Sequence, residues 1–418
     1  MIKDIFTSAA LVARMETGPL SSHLDLLATT LQKQGYATTT IGFHLHEAHA
    51  FGCWLSEKRQ IDEISELTLD RYLADLSSQK ATLTPHRRQR ITTAIRLLLK
   101  HSRQAGLIAA PPAASLPLTE AQQWLIRYQE YLDNVNGLAP RTCQSYSLFA
   151  TRLLEALSQQ GGIVWSALTA DKITAFLQAE IAHRKGIGRH KPATAVRSFL
   201  RFLVSQDRIP VGLELAIPPI RQWSQSALPQ RLSETEIDQL LTSCSCQTAA
   251  GRRNYAILLL LSRLGMRAKE VAGLQLDDID WTGGSVLARS SKTHCQRLLP
   301  LPQDVGEAIL SYLQNGRPQT NDREVFLTVL PPYQPLKSHS VISVTVKRLM
   351  ARAGIKRQSG GAHLLRHSAA TQMVNRGASF KEVADVLGHQ QLQTTGIYAK
   401  LDLVALEQVA LPWPGGAQ

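Results

Sequence analysis

The sequence predicts a mainly α-helical protein with one small β-sheet, arranged as two tandem helical bundles followed by a mixed α/β domain. Three observations predict it. Apolar residues recur at intervals of three and four, as in Leu148, Leu153, Leu154 and Leu157 or Ile173, Phe176, Leu177 and Ile181, which is the period of a helix with one buried face. Ser285 to Arg289 and Arg297 to Leu301 read instead as two short strands joined by Ser290 to Gln296. Two proline-rich stretches, Ala109 to Pro117 and Pro210 to Pro229, interrupt the chain, because proline fixes φ and removes a backbone donor. They delimit segments 1–110, 118–210 and 230–411, with a linker at 211–229 and a tail at 412–418.

Composition narrows the function. At 418 residues, 44% hydrophobic and 19% charged, the chain is long enough for several buried cores and contains no low-complexity tract. Lys and Arg number 46 against 33 Asp and Glu, a net charge of +13 that is spread over all three segments. A distributed surplus points to a polyanion wrapped by several modules, nucleic acid first among them. The five cysteines (Cys53, Cys143, Cys244, Cys246, Cys295) are odd in number and lack framework spacing, so a reducing compartment is expected. Cys244, Cys246, His294 and Cys295 do not have zinc-knuckle spacing. The N-terminus lacks the basic lead-in of a signal peptide, and the longest apolar run, Ala256 to Leu261, is far short of a membrane span. A cytoplasmic protein is predicted.

The first two segments resemble one another. Tyr36 to Ile41 aligns with Leu138 to Cys143, and Leu67-Thr-Leu-Asp70 with Leu168-Thr-Ala-Asp171. Ile95, Leu98 and Leu99 align with Phe199, Phe202 and Leu203, with offsets that drift by one or two residues as loop insertions would produce. A tandem duplication is the reading. Each copy carries a basic stretch before its last helix, containing Arg87, Arg88 and Arg90 in the first and Arg184, Lys185, Arg189 and Lys191 in the second. Cations beside a helix N-terminus suit DNA phosphates, which backbone N–H groups there also bind.

In the third segment, Ser233-Glu-Thr-Glu236 has the form of a capping box leading into Ile237, Leu240 and Leu241. Tyr255 to Leu264 reads as a buried helix that stops at Gly265. Asp277, Asp278 and Asp280 read as a polar turn between helix and sheet. Ser338 to Gln408 reads as mostly helical, ending in a short apolar segment with Leu401, Leu403, Val404, Leu406 and Val409.

The chemistry lies in separate motifs of this third segment: Leu264-Gly-Met-Arg-Ala-Lys-Glu-Val-Ala-Gly-Leu274, Lys292 on the hairpin tip, His363-Leu-Leu-Arg-His367, Leu387-Gly-His389 and Tyr398. In this order they resemble the catalytic domain of the phage integrase family, the tyrosine recombinases. The resemblance covers roughly residues 118–411, as a SAM-like core-binding domain plus a catalytic domain, and leaves segment 1–110 as an extra module.

The residue types suit phosphodiester cleavage on physical grounds. The five-coordinate transition state gathers negative charge on its non-bridging oxygens, which guanidinium groups such as Arg267 and Arg366 bind with fixed donors. His363 and Arg366, three apart, face the same way on one helix, with His367 as a packing or hydrogen-bonding neighbour. Tyr398 is the expected nucleophile, needing a base and nearby cations because a phenol titrates near pH 10. The resemblance further implies that His363 takes the tyrosine proton, His389 holds a phosphate oxygen, Lys292 protonates the leaving 5′ oxygen, and Glu270 supports Arg267. Energy stored in a 3′-phosphotyrosyl link removes any need for ATP or metal, so no cofactor is expected. Double-stranded DNA is the expected partner; the resemblance implies that four protomers exchange its strands through a Holliday junction, and the extra N-terminal module points to integration, excision or transposition of a mobile element. The apolar segment after Tyr398 is open to two fates, docking on a neighbouring protomer or capping its own domain. Two other activities fit much of the pattern: type IB topoisomerase-like relaxation, and a non-cutting accessory role among other recombinases.

Overall fold

The structure is a computed structural model that describes residues 2–58, 64–79, 83–109, 118–159, 162–184, 186–218, 230–289, 296–336, 338–357, 360–389 and 395–401. Lys185, the hairpin tip with Lys292 and Cys295, most of both proline-rich stretches, and the chain from 402 onward lie outside these residues. By backbone contacts the chain divides into two compact units, Pro112–Leu228 and a second formed by Met1–Pro111 together with Pro229–Gln418.

The first segment contains α1 (Ala9–Thr17), α2 (Ser21–Lys33), α3 (Thr38–Glu57), α4 (Glu66–Gln79) and α5 (Pro85–Gln104). Its core gathers Leu24, Leu27, Leu31, Leu45, Phe51, Ile95 and Leu98, one stripe from each contributing helix. The second segment contains α6 (Glu120–Glu130), extended by a π-helical turn at Tyr131–Val135, then α7 (Pro140–Leu157), a two-residue hairpin of β1 (Ser158–Gln159) and β2 (Gly162–Ile163), α8 (Ala170–Ala182) and α9 (Lys191–Ser205). An aromatic cluster of Trp124, Tyr128, Phe199 and Phe202 fills its centre. Helices α3 and α7 begin after Ala37 and Ala139, the positions that align in the sequence. The helix starts differ elsewhere. Thr169 caps α8 through its hydroxyl, whereas Thr68 already lies inside α4 and accepts the N–H of Ser65 at 2.9 Å.

The basic stretch of the first copy does not precede its last helix, as the sequence suggested. Thr84 caps α5 and Pro85 occupies its first turn, so Arg87, Arg88 and Arg90 are already helical. Proline is favoured there because the N–H it lacks would have no helical partner.

The third segment starts with α10 (Glu234–Thr242), closed by the expected reciprocal Ser233–Glu236 box. Helix α11 (Ala249–Ser262) starts six residues before Tyr255 because Thr248 caps it, and it is buried along nearly its whole second half. After α12 (Ala268–Ala272) comes an antiparallel sheet of β3 (Ile279–Asp280), β4 (Ser285–Arg289) and β5 (Gln296–Pro300). Val286 lies opposite Leu299 and Ala288 opposite Arg297. Strand β3 was not foreseen, since two residues show no alternation. Helices α13 (Gln303–Asn315), α14 (His339–Arg352), α15 (Ala362–Asn375) and α16 (Phe380–Leu387) follow, then a 3₁₀ turn at Gly396–Leu401. Among the described residues no helix is long and apolar enough to cross a membrane.

Candidate active site

Helix α11 ends at Ser262, three residues before the expected stop at Gly265; the φ of +59° at Gly265 turns the chain so that buried Met266 anchors Arg267 at the start of α12. Glu270, one turn later, accepts the backbone N–H of Arg267 at 2.8 Å and its Nη1 at 2.9 Å. From β5, Arg297 reaches the same carboxylate through Nη1 at 2.9 Å and Nη2 at 2.7 Å. Burial alone would raise the Glu270 pKa; the bonds from Arg297 and then Arg267 outweigh it and hold the carboxyl below its usual value.

Helix α15 supplies Arg366, only 3% exposed, which donates to the carbonyls of Gly265 at 2.5 Å and Leu387 at 2.6 Å. Arg267 donates Nη2 to the next carbonyl, that of Gly388, at 2.7 Å. Consecutive carbonyls at the C-terminus of α16 thus hold both arginines, at the helix end whose dipole favours cations. Burial, then repulsion from Arg267, pushes Arg366 down to about 9, still cationic at neutral pH.

His389 follows directly, its Nδ1 sharing a 2.8 Å hydrogen bond with the buried Thr395 hydroxyl. Burial, then Arg366 and Arg267, lowers its pKa to about 4. Tyr398 is 1% exposed and packs on Ala370, Val374, Val383 and Leu387. Its Oη lies 2.8 Å from Nδ1 of His367, and burial raises its pKa to about 12. His367 is held at about 4, by burial first and then His363 and Arg366, and is a neutral imidazole at physiological pH. His363 stacks on it at 5.7 Å between ring centroids. Desolvation, then Arg366 and Arg267, lowers the His363 pKa even though the residue reaches solvent.

The structure therefore brings Arg267, Glu270, His363, Arg366, His367, His389 and Tyr398 into one site, with Lys292 outside the described residues. Sequence reasoning missed Arg297 and Thr395. Alternation in Gln296-Arg297-Leu298-Leu299-Pro300 was a usable signal for the first: it places Arg297 on the same face as buried Leu299, while Leu298 points out at 68% exposure. In the bundles, Arg87, Arg88 and Arg90 are exposed on α5, Arg90 lying 3.9 Å over the Phe43 ring. Arg189 and Lys191 are exposed at the start of α9. Arg184 is committed, bonded to Glu180 at 2.6 Å and packed over Phe149.

Residues 230–403 match the model of the phage integrase family, and 125–207 that of the phage integrase N-terminal SAM-like domain. A Sinorhizobium fredii protein named integrase/recombinase y4rA is 34% identical, over 97% of this chain and 98% of its own length. The chain belongs to the phage integrase family, the tyrosine recombinases. It is accordingly a site-specific DNA breaking-rejoining enzyme. Its fold is also that of the XerH site-specific recombinase bound to palindromic difH substrate (TM-score 0.56, 18% identity, 82% of this chain and 94% of that one). A lambda integrase tetramer bound to a Holliday junction is similar as well (TM-score 0.51, 18% identity, 76% and 88%).

The acidic stretch of this recombinase is engaged in structure. Asp278 accepts the Gln275 N–H at 3.0 Å and bonds Arg289, Asp277 pairs with Arg323, and Asp280 accepts the N–H groups of Thr282 and Gly283. These contacts are those of a polar turn.

Proposed function

We propose that this recombinase cleaves DNA by attack of Tyr398 on a scissile phosphate, forming a 3′-phosphotyrosyl link and freeing a 5′-hydroxyl. The observation that carries this reading is the pair of guanidiniums fixed on the Leu387 and Gly388 carbonyls, beside His389 and within the domain that buries Tyr398. Arg267, Arg366 and His389 bind the non-bridging oxygens, where charge develops. The phenol proton passes to an imidazole as the oxygen–phosphorus bond forms. His367 is the imidazole at hydrogen-bond distance, and His363 stacks behind it. As the 5′ oxygen leaves, Lys292 supplies its proton. Rejoining runs the same steps backwards, so neither ATP nor a metal enters.

Double-stranded DNA is the substrate, held by the catalytic domain and by cations of both bundles, with Arg87, Arg88, Arg90, Arg189 and Lys191 on its backbone. Four protomers exchange strands through a Holliday junction, in the service of a mobile element. Nicked duplexes from the DNA flanking the gene, incubated in EDTA and run on a denaturing gel, test the core of this. A covalent adduct that vanishes with Tyr398→Phe is the expected result. Binding without an adduct favours an accessory role, and relaxation of any supercoiled plasmid without partner exchange favours a topoisomerase.

A further inference from the structure

Two guanidiniums, Arg267 and Arg297, bind one buried carboxylate, Glu270, whose charge Arg366 also feels. They use it unequally. Arg297 spends both terminal nitrogens on the two Glu270 oxygens, whereas the Arg267 side chain gives it one. The Arg297 side chain is 12% exposed against 30% for Arg267, so Arg297 lies behind the carboxylate and Arg267 towards solvent. Among the described residues the Nε of Arg297 is buried without a hydrogen-bond partner. Gly388 permits the arrangement: its φ is +63°, and a Cβ there would meet Arg297 Nη1 at 2.8 Å and Arg267 Nη1 at 3.5 Å.

We propose that Arg297 is a positioning residue that neutralises Glu270, so that Arg267 keeps its net charge and a free edge for the scissile phosphate. The inference rests on the phosphotyrosyl reading above. Glu270 is needed to orient Arg267, through its backbone N–H and Nη1. Left alone in a site poor in water, the same carboxylate would draw in the Arg267 guanidinium and cancel the field that the phosphate needs. Arg297 resolves this conflict by holding the carboxylate from behind.

The test compares adduct formation on two nicked duplexes, one with a normal scissile phosphate and one with an uncharged methylphosphonate. Arg297→Gln is expected to slow cleavage of the phosphate about 10- to 100-fold and of the methylphosphonate only about threefold, because a neutral group asks less of Arg267. Adding Glu270→Gln removes the competing charge and is expected to recover most of the phosphate loss, a non-additivity that measures the coupling. Arg297→Lys, which keeps the charge, reads the same substrate ratio should Arg297→Gln fold poorly, and is expected to lose less than Gln. Equal losses on both substrates, or additive losses in the double variant, overturn the proposal and leave Arg297 a structural residue. A wild type that forms no adduct on its phosphate substrate overturns the phosphotyrosyl reading itself, and this inference with it.

Discussion

The cations of the catalytic segment and those of the two bundles differ in how they are held. Arg366 is 3% exposed and tied to two carbonyls, and Arg297 is closed over a carboxylate. Arg87, Arg88, Arg189 and Lys191 stand in solvent at the starts of helices. A buried cation costs desolvation, which hydrogen bonds and a paired carboxylate offset, and it acts most strongly on charge that appears where water is excluded. An exposed cation costs little and contributes a screened, additive attraction to a charged backbone. Under the proposed function, one chain would separate rate from affinity by the depth at which it places its positive charge.

The strongest way to break this division is Arg366→Lys, which keeps the charge but loses one of the two anchors and the planar donor edge. Adduct formation is expected to fall by about 10²- to 10³-fold, while affinity in a gel-shift titration changes by less than about threefold. A loss expressed mainly in affinity would show that depth and role are not linked.

Features set by neighbours in the chain were legible before the fold was seen. The Ser233–Glu236 box, the two hairpin strands and the shared face of His363 and Arg366 each depend on residues a few positions apart. What escaped depends on long-range contacts. His367 is legible as a packing or hydrogen-bonding neighbour, but not its partner, which the chain supplies only when it returns 31 positions later to set Tyr398 at 2.8 Å. The partner of Arg297 is 27 residues upstream, and the carbonyls that receive Arg267 and Arg366 are backbone, which leaves no side-chain signature. The start of α5 is hidden for a local reason: Pro85 reads as a break in the sequence but occupies the first turn of the helix, which brings Arg87, Arg88 and Arg90 inside it.

Acid stability probes the buried side of the comparison with a smaller effect. Burial first, and then neighbouring charged groups, hold His367 and His389 down at about 4 in the folded protein, against the ordinary histidine value of 6.5. Between those values the unfolded chain binds protons that the folded one excludes, so stability is full above pH 6.5 and falls as pH drops towards 4. Each unit of difference is worth about 1.4 kcal/mol for a fully buried ring, and less for the half-buried His389, where solvent screens the charge. Melting temperature is expected to drop by several degrees from pH 7 to pH 5, and His367→Asn should flatten that slope. An unchanged slope would mean that His367 is protonated in the folded state, and the reading of a neutral imidazole beside Tyr398 would fail.

The exposed cations give the mildest prediction. Replacing Arg87, Arg88 and Arg90 by Ala is expected to weaken DNA binding about tenfold at moderate salt and to lower the salt slope by about two to three phosphate contacts. Because Arg90 also stacks on Phe43, restoring it alone should recover packing as well as charge, and melting temperature separates the two. The same treatment of Arg189, in the turn before α9, and Lys191, its first residue, should remove fewer contacts, since Arg184 of that bundle is already committed to Glu180. Cleavage measured at saturating DNA should not move in either case. If it falls, the bundles contribute to the reaction step itself, and exposed charge in this protein does more than bring DNA to the site.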